Sequence, residues 1–483
     1  MAIERLRNYI GGEWIDSDVA TTCTVHNPAT GAPIGECPLS GAADVDAAVQ
    51  AAKSAYPAWR RTPVEDRIQP LFRLKMLLEE HAEELAAIVT REHGKTLSES
   101  MGSVRRGIQM VEAATGAPSL MMGQALEDIA RGIDCEMVRQ PMGVFACIAP
   151  FNFPAMVPLW FFPFAVACGN TFVCKPSEQV PFSQKLIFEL THAAGFPPGV
   201  LNLVNGAKDV VNGLLDHPDV RGISFVGSSP VAEYVYTRAA ATRKRVQSLG
   251  GAKNFVIVMP DADMGPALDA ILESACGCAG ERCLAAAVIL AVGGCHDELR
   301  AGLIERMAQV KVGDGSKPNV TMGPVISAAH KERVLARIEE AIAEGAELVV
   351  DGRNPKVDSS GEGYFVGPTL FDGVSPEMTI AQEEVFGPVL CLTDVPTLED
   401  ALAIAKAHPL ANASSIFTTS GKAARTFRYE IDASMAGVNI GVAAPMSFFP
   451  FGGSKGSFFG DLKAHGREAY DFFTDRKVLI SRW

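Results

Sequence analysis

At 483 residues the chain is too long for one ordinary hydrophobic core, which predicts two or three structural units. A hydrophobic fraction of 48% with 20% charged residues marks a water-soluble globular protein. The formal net charge of -13, with no cluster of Lys and Arg, argues against nucleic acid as a partner.

The opening residues Met1 to Arg5 run into polar turns and lack the apolar core of a signal peptide. The most apolar stretch, Ala155 to Cys168, is too short for a bilayer and is broken by Pro158 and Pro163, so no membrane association is expected. Eleven cysteines at irregular spacing read as reduced thiols of a cytoplasmic protein. Cys276, Cys278 and Cys283 have no histidine or second cysteine pair at zinc spacing, so no metal is expected.

In chain order, apolar runs of strand length alternate with amphipathic helices, the pattern of a parallel α/β fold. The segment 125–140 reads as a protruding hairpin. Strands are predicted at 143–149 and 171–174, then a helix over 183–194 with a Ser cap and Gly195 as its stop. Strands follow at 200–204 and 222–226, flanking a helix at 210–216, and another helix covers 230–241. A second series begins after Gly250-Gly251 with a strand at 254–259, a helix at 267–278 and a strand at 286–292. Long helices occupy 330–344 and 398–406. There is no internal repeat and no low-complexity segment.

Two familiar motifs fail on inspection. Gly94-Lys95-Thr96 ends like a phosphate-binding loop, but Val89 stands where the loop needs glycine. Gly452-Gly-Ser454-Lys-Gly456 matches the serine-hydrolase elbow, which requires a strand-to-helix turn followed by an acid and a histidine. Only His465 remains downstream, so a glycine-rich loop is the better reading, with a hydrolase using Ser454 as the remote alternative. No G-x-G-x-x-G fingerprint occurs, so a dinucleotide would be held in another way.

Six short segments occur in one order: Pro150-Phe-Asn152-Phe-Pro154, Lys175-Pro-Ser-Glu178, Phe225-Val-Gly227-Ser228, Leu249-Gly-Gly251, Gly280-Glu-Arg-Cys283 and Glu384-Val-Phe386-Gly-Pro388. Together with the opening Asn8-Tyr-Ile-Gly-Gly-Glu-Trp14, they resemble the aldehyde dehydrogenase superfamily over almost the whole chain. That resemblance implies an α/β architecture of two Rossmann-like parallel domains plus a small β oligomerisation unit. An NAD-binding domain is expected over 1–124 and 144–247, a catalytic domain over 248–443, and the oligomerisation unit over 125–143 and 462–483. A homodimer or homotetramer is implied.

The resemblance also assigns roles. Cys283 is the nucleophile, whose sulfur adds to an aldehyde carbonyl, and Asn152 with the Cys283 backbone N–H forms the oxyanion hole. Lys175 and Glu178 grip the adenosine ribose, and the Glu178 carboxylate favours NAD over NADP. Gly227 and Ser228 precede a helix whose free N–H groups suit a pyrophosphate. Glu384, Phe386, Phe151 and Leu249 complete the cofactor site.

One departure carries information. Hydrolytic members have Glu-Leu-Gly-Gly, whose Glu activates water; here Ser248 or, with a one-residue slip, Leu249 stands at that position. Coenzyme A is then the expected acyl acceptor, because a thiolate needs less activation than water. Glu281 could substitute as base if its side chain faced the thiol. The segments Ala117-Pro-Ser-Leu-Met-Met-Gly123, Gly280-Glu-Arg-Cys283 and Ser454-Lys-Gly-Ser-Phe-Phe-Gly-Asp461 resemble the CoA-acylating methylmalonate-semialdehyde dehydrogenases. That family oxidises methylmalonate or malonate semialdehyde and releases propionyl-CoA or acetyl-CoA after loss of the carboxylate. Such a substrate implies guanidinium ligands, Arg282 beside the nucleophile and Arg106 upstream. Arg106 reads equally well as a helix-surface charge. The alternative activity is a hydrolytic dehydrogenase acting on another short semialdehyde.

Overall fold

The computed structural model describes residues 3–357 and 362–483. It is a mixed α/β fold in which three sheets carry the architecture. In the largest, the spatial order is Glu13–Ile15, Asn8–Ile10, Leu201–Leu203, Thr171–Lys175, Val144–Ile148, Val220–Val226, Arg245–Leu249 and Phe458–Gly460. The five middle strands run parallel and the edge pairings are antiparallel. Val144–Ile148 and Thr171–Lys175 are buried along their whole length, because helices cover both faces of a parallel sheet. That explains their uninterrupted apolar runs.

Chain order reverses between Val144–Ile148 and its neighbour Val220–Val226. The strands from 171 and 201 lie to one side and the strand from 245 to the other. A crevice therefore opens at the carboxyl ends of these strands, where open α/β sheets bind ligands.

The second sheet contains Asn254–Val258, Ala286–Val292, Val389–Val395 and Ala413–Phe417 at its centre. The third pairs Thr474–Arg482 with Ile133–Pro141, which pairs in turn with Gln124–Ala130. Its apolar residues Leu126, Ile129, Val478, Leu479 and Ile480 are exposed.

Two helix ends differ from the sequence reading. The helix Phe182–Ala193 has no Ser cap: the buried carboxylate of Glu92 accepts from the N–H groups of Phe182 (2.7 Å) and Ser183 (3.1 Å) instead. The helix Met264–Cys276 stops two residues earlier than 278, because Cys278 turns left-handed and gives its N–H to Glu99 Oε1 at 2.6 Å. This early stop shapes the loop that carries Cys283.

Candidate active site

Two cavities meet at Cys283. A cleft of about 580 Å³ at the carboxyl ends of the first sheet is lined by Phe151, Asn152, Lys175, Glu178, Gly227 and Ser228, and by Glu384 and Phe386 opposite. A cavity of about 410 Å³ on the other side is lined by Glu99, Arg106, Phe153, Trp160, Arg282 and His465. Cys283 lines both.

The loop that presents Cys283 is strained and held. Cys278 and Ala279 both have φ of 52°, a region costing about 1–2 kcal/mol for a non-glycine residue. Gly280 follows at φ 75°, and a Cβ there would lie 2.1 Å from the Gly387 carbonyl oxygen. Downstream, the Cys283 carbonyl accepts from the side-chain amides of Asn254 (3.0 Å) and Asn412 (2.9 Å). Burial, reinforced by the charge of Glu384, pushes the thiol up to about 12.

Asn152 sits against this loop. Its Nδ2 donates to the Glu281 carbonyl at 2.9 Å, and its own carbonyl accepts from Lys95 Nζ at 2.5 Å. Lys95 is buried, with its ammonium 3.9 Å from the centroid of the Phe153 ring. Gly94-Lys95-Thr96 is thus no phosphate loop but a prop beneath the proposed oxyanion donor.

Glu281 faces away from the thiol. Its fully buried carboxyl accepts from the Ile326 N–H at 3.1 Å and lies 3.4 Å from His330 Nε2 and 3.6 Å from His93 Nε2. Burial drives the Glu281 carboxyl well up and His93 well down, disfavouring the charged form of each. Glu281 lines neither cavity. His330 Nε2 lies 2.7 Å from the carbonyl of Phe386, itself left-handed at φ 57°, while Arg333 contacts its Nδ1. These partners place the His330 proton on Nε2.

In the cleft, Lys175 Nζ and Glu178 Oε2 are 2.9 Å apart. Gly227 and Ser228 lead into the helix Ser229–Ala241, and a Cβ on Gly227 would stand 2.5 Å from the Phe225 ring. Glu384 accepts from the Ala252 N–H at 3.1 Å, and burial raises its carboxyl to about 7. Phe151 meets Phe386 edge-on at 5.7 Å. Leu249 is not in the cleft; it is buried in the core, and Gly250 and Gly251 reach the wall instead. The Ser248 hydroxyl is also buried and donates to the Ala232 carbonyl at 2.8 Å.

In the cavity the two arginines differ. Arg282 Nη2 lies 3.5 Å from Glu99 Oε1, so its charge is partly balanced. Arg106 donates to the Pro445 carbonyl at 2.7 Å and has no carboxylate partner among the described residues. It is a cavity-wall cation, not a solvated surface charge. Ser454 lies on the short strand Ser454–Lys455 paired with Leu410–Ala411, with no strand-to-helix elbow.

These features put a buried thiol where a cleft of about 580 Å³ and a cavity of about 410 Å³ meet. A sequence profile of the aldehyde dehydrogenase family matches residues 14–479, and the chain belongs to that family. It is 53% identical over 481 residues to malonate-semialdehyde dehydrogenase 1 of Geobacillus thermodenitrificans, covering 100% of this chain and 99% of the relative. It is 52% identical over 480 residues to malonate-semialdehyde dehydrogenase of Halalkalibacterium halodurans, covering 99% of each. Among solved structures, methylmalonate-semialdehyde dehydrogenase from Oceanimonas doudoroffii is similar at TM-score 0.98 and 46% identity, covering 100% of this chain and 99% of that one. A putative methylmalonate-semialdehyde dehydrogenase from Sinorhizobium meliloti, solved with NAD, is similar at TM-score 0.98 and 40% identity, covering 100% and 98%. No helix among the described residues is long and apolar enough to cross a membrane.

Proposed function

We propose that this aldehyde dehydrogenase oxidises malonate or methylmalonate semialdehyde with NAD and passes the acyl group to coenzyme A. The observation that carries the acylating reading is that none of Ser248, Glu281 and Glu99 is free to activate water at Cys283. Ser248 is tied to the Ala232 carbonyl, Glu281 is buried behind the loop, and Glu99 is engaged by Thr96, Cys278 and Arg282. The names of the relatives support the substrate class.

The cleft fits NAD. Glycines at 227, 250 and 251 leave room that a Cβ would fill: on Gly251 it would stand 2.5 Å from Glu384 Oε2. Lys175 and Glu178 would hold the adenosine ribose, Gly227 and Ser228 the pyrophosphate, and Glu384 and Phe386 the nicotinamide end. When bound, the nicotinamide supplies the acceptor for the hydride lost by the aldehyde carbon.

The chain's own groups do the rest. The Cys283 sulfur bonds to the carbonyl carbon, and the alkoxide that forms is held by the Asn152 side-chain N–H and the Cys283 N–H. Oxidation leaves a thioester on Cys283. The β-carboxylate departs as CO₂, its bonding electrons pass into the thioester enolate, and a proton returns at carbon. The CoA thiolate then displaces Cys283. The exposed apolar residues of the Thr474–Arg482 sheet suit association into a dimer or tetramer. Eleven free cysteines suit the reducing cytoplasm.

NADH absorbance with malonate semialdehyde tests the reading. One equivalent should form without CoA and sustained turnover should follow its addition. Sustained turnover without CoA would instead establish the hydrolytic alternative.

A further inference from the structure

One wall of the substrate cavity carries polar groups that the steps above leave unused. His465 is 1% exposed, lines the cavity with Arg106 and Cys283, and neither ring nitrogen has a hydrogen-bond partner among the described residues. Trp160 lines the same cavity, and its indole N–H is also buried without a partner among the described residues. The two rings meet edge-on, with centroids 4.8 Å apart.

The backbone at His465 is unusual as well. Its φ of 72° and ψ of 176° fall in a region that is essentially reserved for glycine. The conformation is fixed on both sides. Ala464 and Phe451 exchange backbone hydrogen bonds at 2.7 and 3.1 Å, and Gly466 donates to the Ser447 carbonyl at 3.1 Å. More than about 90% of buried polar groups in folded proteins are bonded, so an orphaned imidazole on a strained residue calls for an explanation. His93 is also orphaned, but it lies behind the Cys283 loop against Glu281 and lines neither cavity. In His465, strain, unpartnered nitrogens and a place on the cavity wall coincide.

We propose that His465 and Trp160, with Arg106, form the pole of the cavity that receives the substrate's carboxylate; this rests on the carboxylated-aldehyde reading above. Burial and the Arg106 charge lower His465 to about 3, so it offers one N–H without a competing charge. That N–H, the indole N–H and the Arg106 fork supply donors for both carboxylate oxygens. The Phe451 ring, 4.5 Å from Trp160 and 5.5 Å from His465, excludes water and strengthens each bond. An aldehyde without the carboxylate leaves these donors unpaired, which makes the pole a selectivity device.

The test compares kcat and KM of the full-length enzyme, with NAD and CoA, for malonate semialdehyde and for propanal. In His465→Leu the kcat/KM ratio between the two aldehydes should fall about tenfold or more, mainly through KM, because a bond to a charged group is lost. Trp160→Phe should lower it severalfold, and His465→Gln should recover part of the loss. Equal losses on both aldehydes, or an unchanged ratio, would overturn the proposal. If His465→Leu is insoluble, Trp160→Phe decides by the same ratio. A wild-type enzyme that does not prefer malonate semialdehyde over propanal would remove the carboxylate reading itself, and this pole with it.

Discussion

On the cleft side of Cys283 the wall is built around the carboxyl ends of parallel strands, and the charges of Lys175, Glu178 and Glu384 are locally answered. Lys175 and Glu178 pair within one turn of chain at 2.9 Å, and Glu384 receives the Ala252 N–H. On the substrate side the wall is made of side chains from distant segments, from Glu99 to His465. There a guanidinium lacks a carboxylate, and an imidazole and an indole lack partners among the described residues. The cleft needs to fit one invariant cofactor, so sheet topology suffices. The cavity must discriminate among small aldehydes, and unanswered polar groups are how a site discriminates.

The sharpest break of this comparison is at the junction. Cys283→Ala should abolish NADH formation from both kinds of aldehyde, even in a single-turnover burst, while NAD binding measured by fluorescence persists. Next come the arginines. Arg106→Leu should cost about a hundredfold in kcat/KM on malonate semialdehyde relative to propanal, as a charged two-pronged contact is lost. Arg282→Leu should lower both substrates together, because it leaves Glu99 uncompensated beneath the Cys278 turn. Equal selectivity losses in both variants would erase the asymmetry between the two guanidiniums.

The cleft should answer to pH. Burial raises Glu384 from 4.5 to about 7, so it is a carboxylic acid below that pH and an acceptor for ribose hydroxyls above it. The sign follows: NAD should bind about tenfold more tightly at pH 8 than at pH 6, and Glu384→Gln should flatten that profile. The same raised value means that this group favours the folded state in acid, and that contribution is lost as pH climbs through 7. The smallest effect belongs to Ser248→Ala, which removes a bond to the Ala232 carbonyl. It should cost about 1 kcal/mol of stability by denaturant melting and leave kcat within about twofold. A hundredfold fall in kcat would show that Ser248 acts on the acyl-enzyme.

How much was legible in the sequence divides along the same line. The strands Val144–Ile148, Thr171–Lys175 and Ala286–Val292 were readable because burial on both faces writes a continuous apolar run. The placement of Lys175 at a strand end and of Gly227 and Ser228 at a helix start was readable because both are local events. Leu249 was misplaced by one residue, since a strand end shows its pattern but not which carbonyl closes it. Lys95, Asn412, His330 and His465 gave no usable signal. Lys95, Asn412 and His330 each act on a partner far away in the chain, such as Asn152 for Lys95 or Phe386 for His330, and His465 packs on the distant Trp160.

By itself, then, the sequence determined the class of fold and the missing carboxylate at position 248, and it singled out Cys283, because residue identity and short-range spacing are enough for those. Tertiary structure alone decided that Glu281 turns away into a buried cluster, that Arg106 lines the cavity without a countercharge, and that His465 stands strained beside it. Those facts depend on which side of a loop a side chain faces and on what lies opposite. Only the packing of distant segments fixes either.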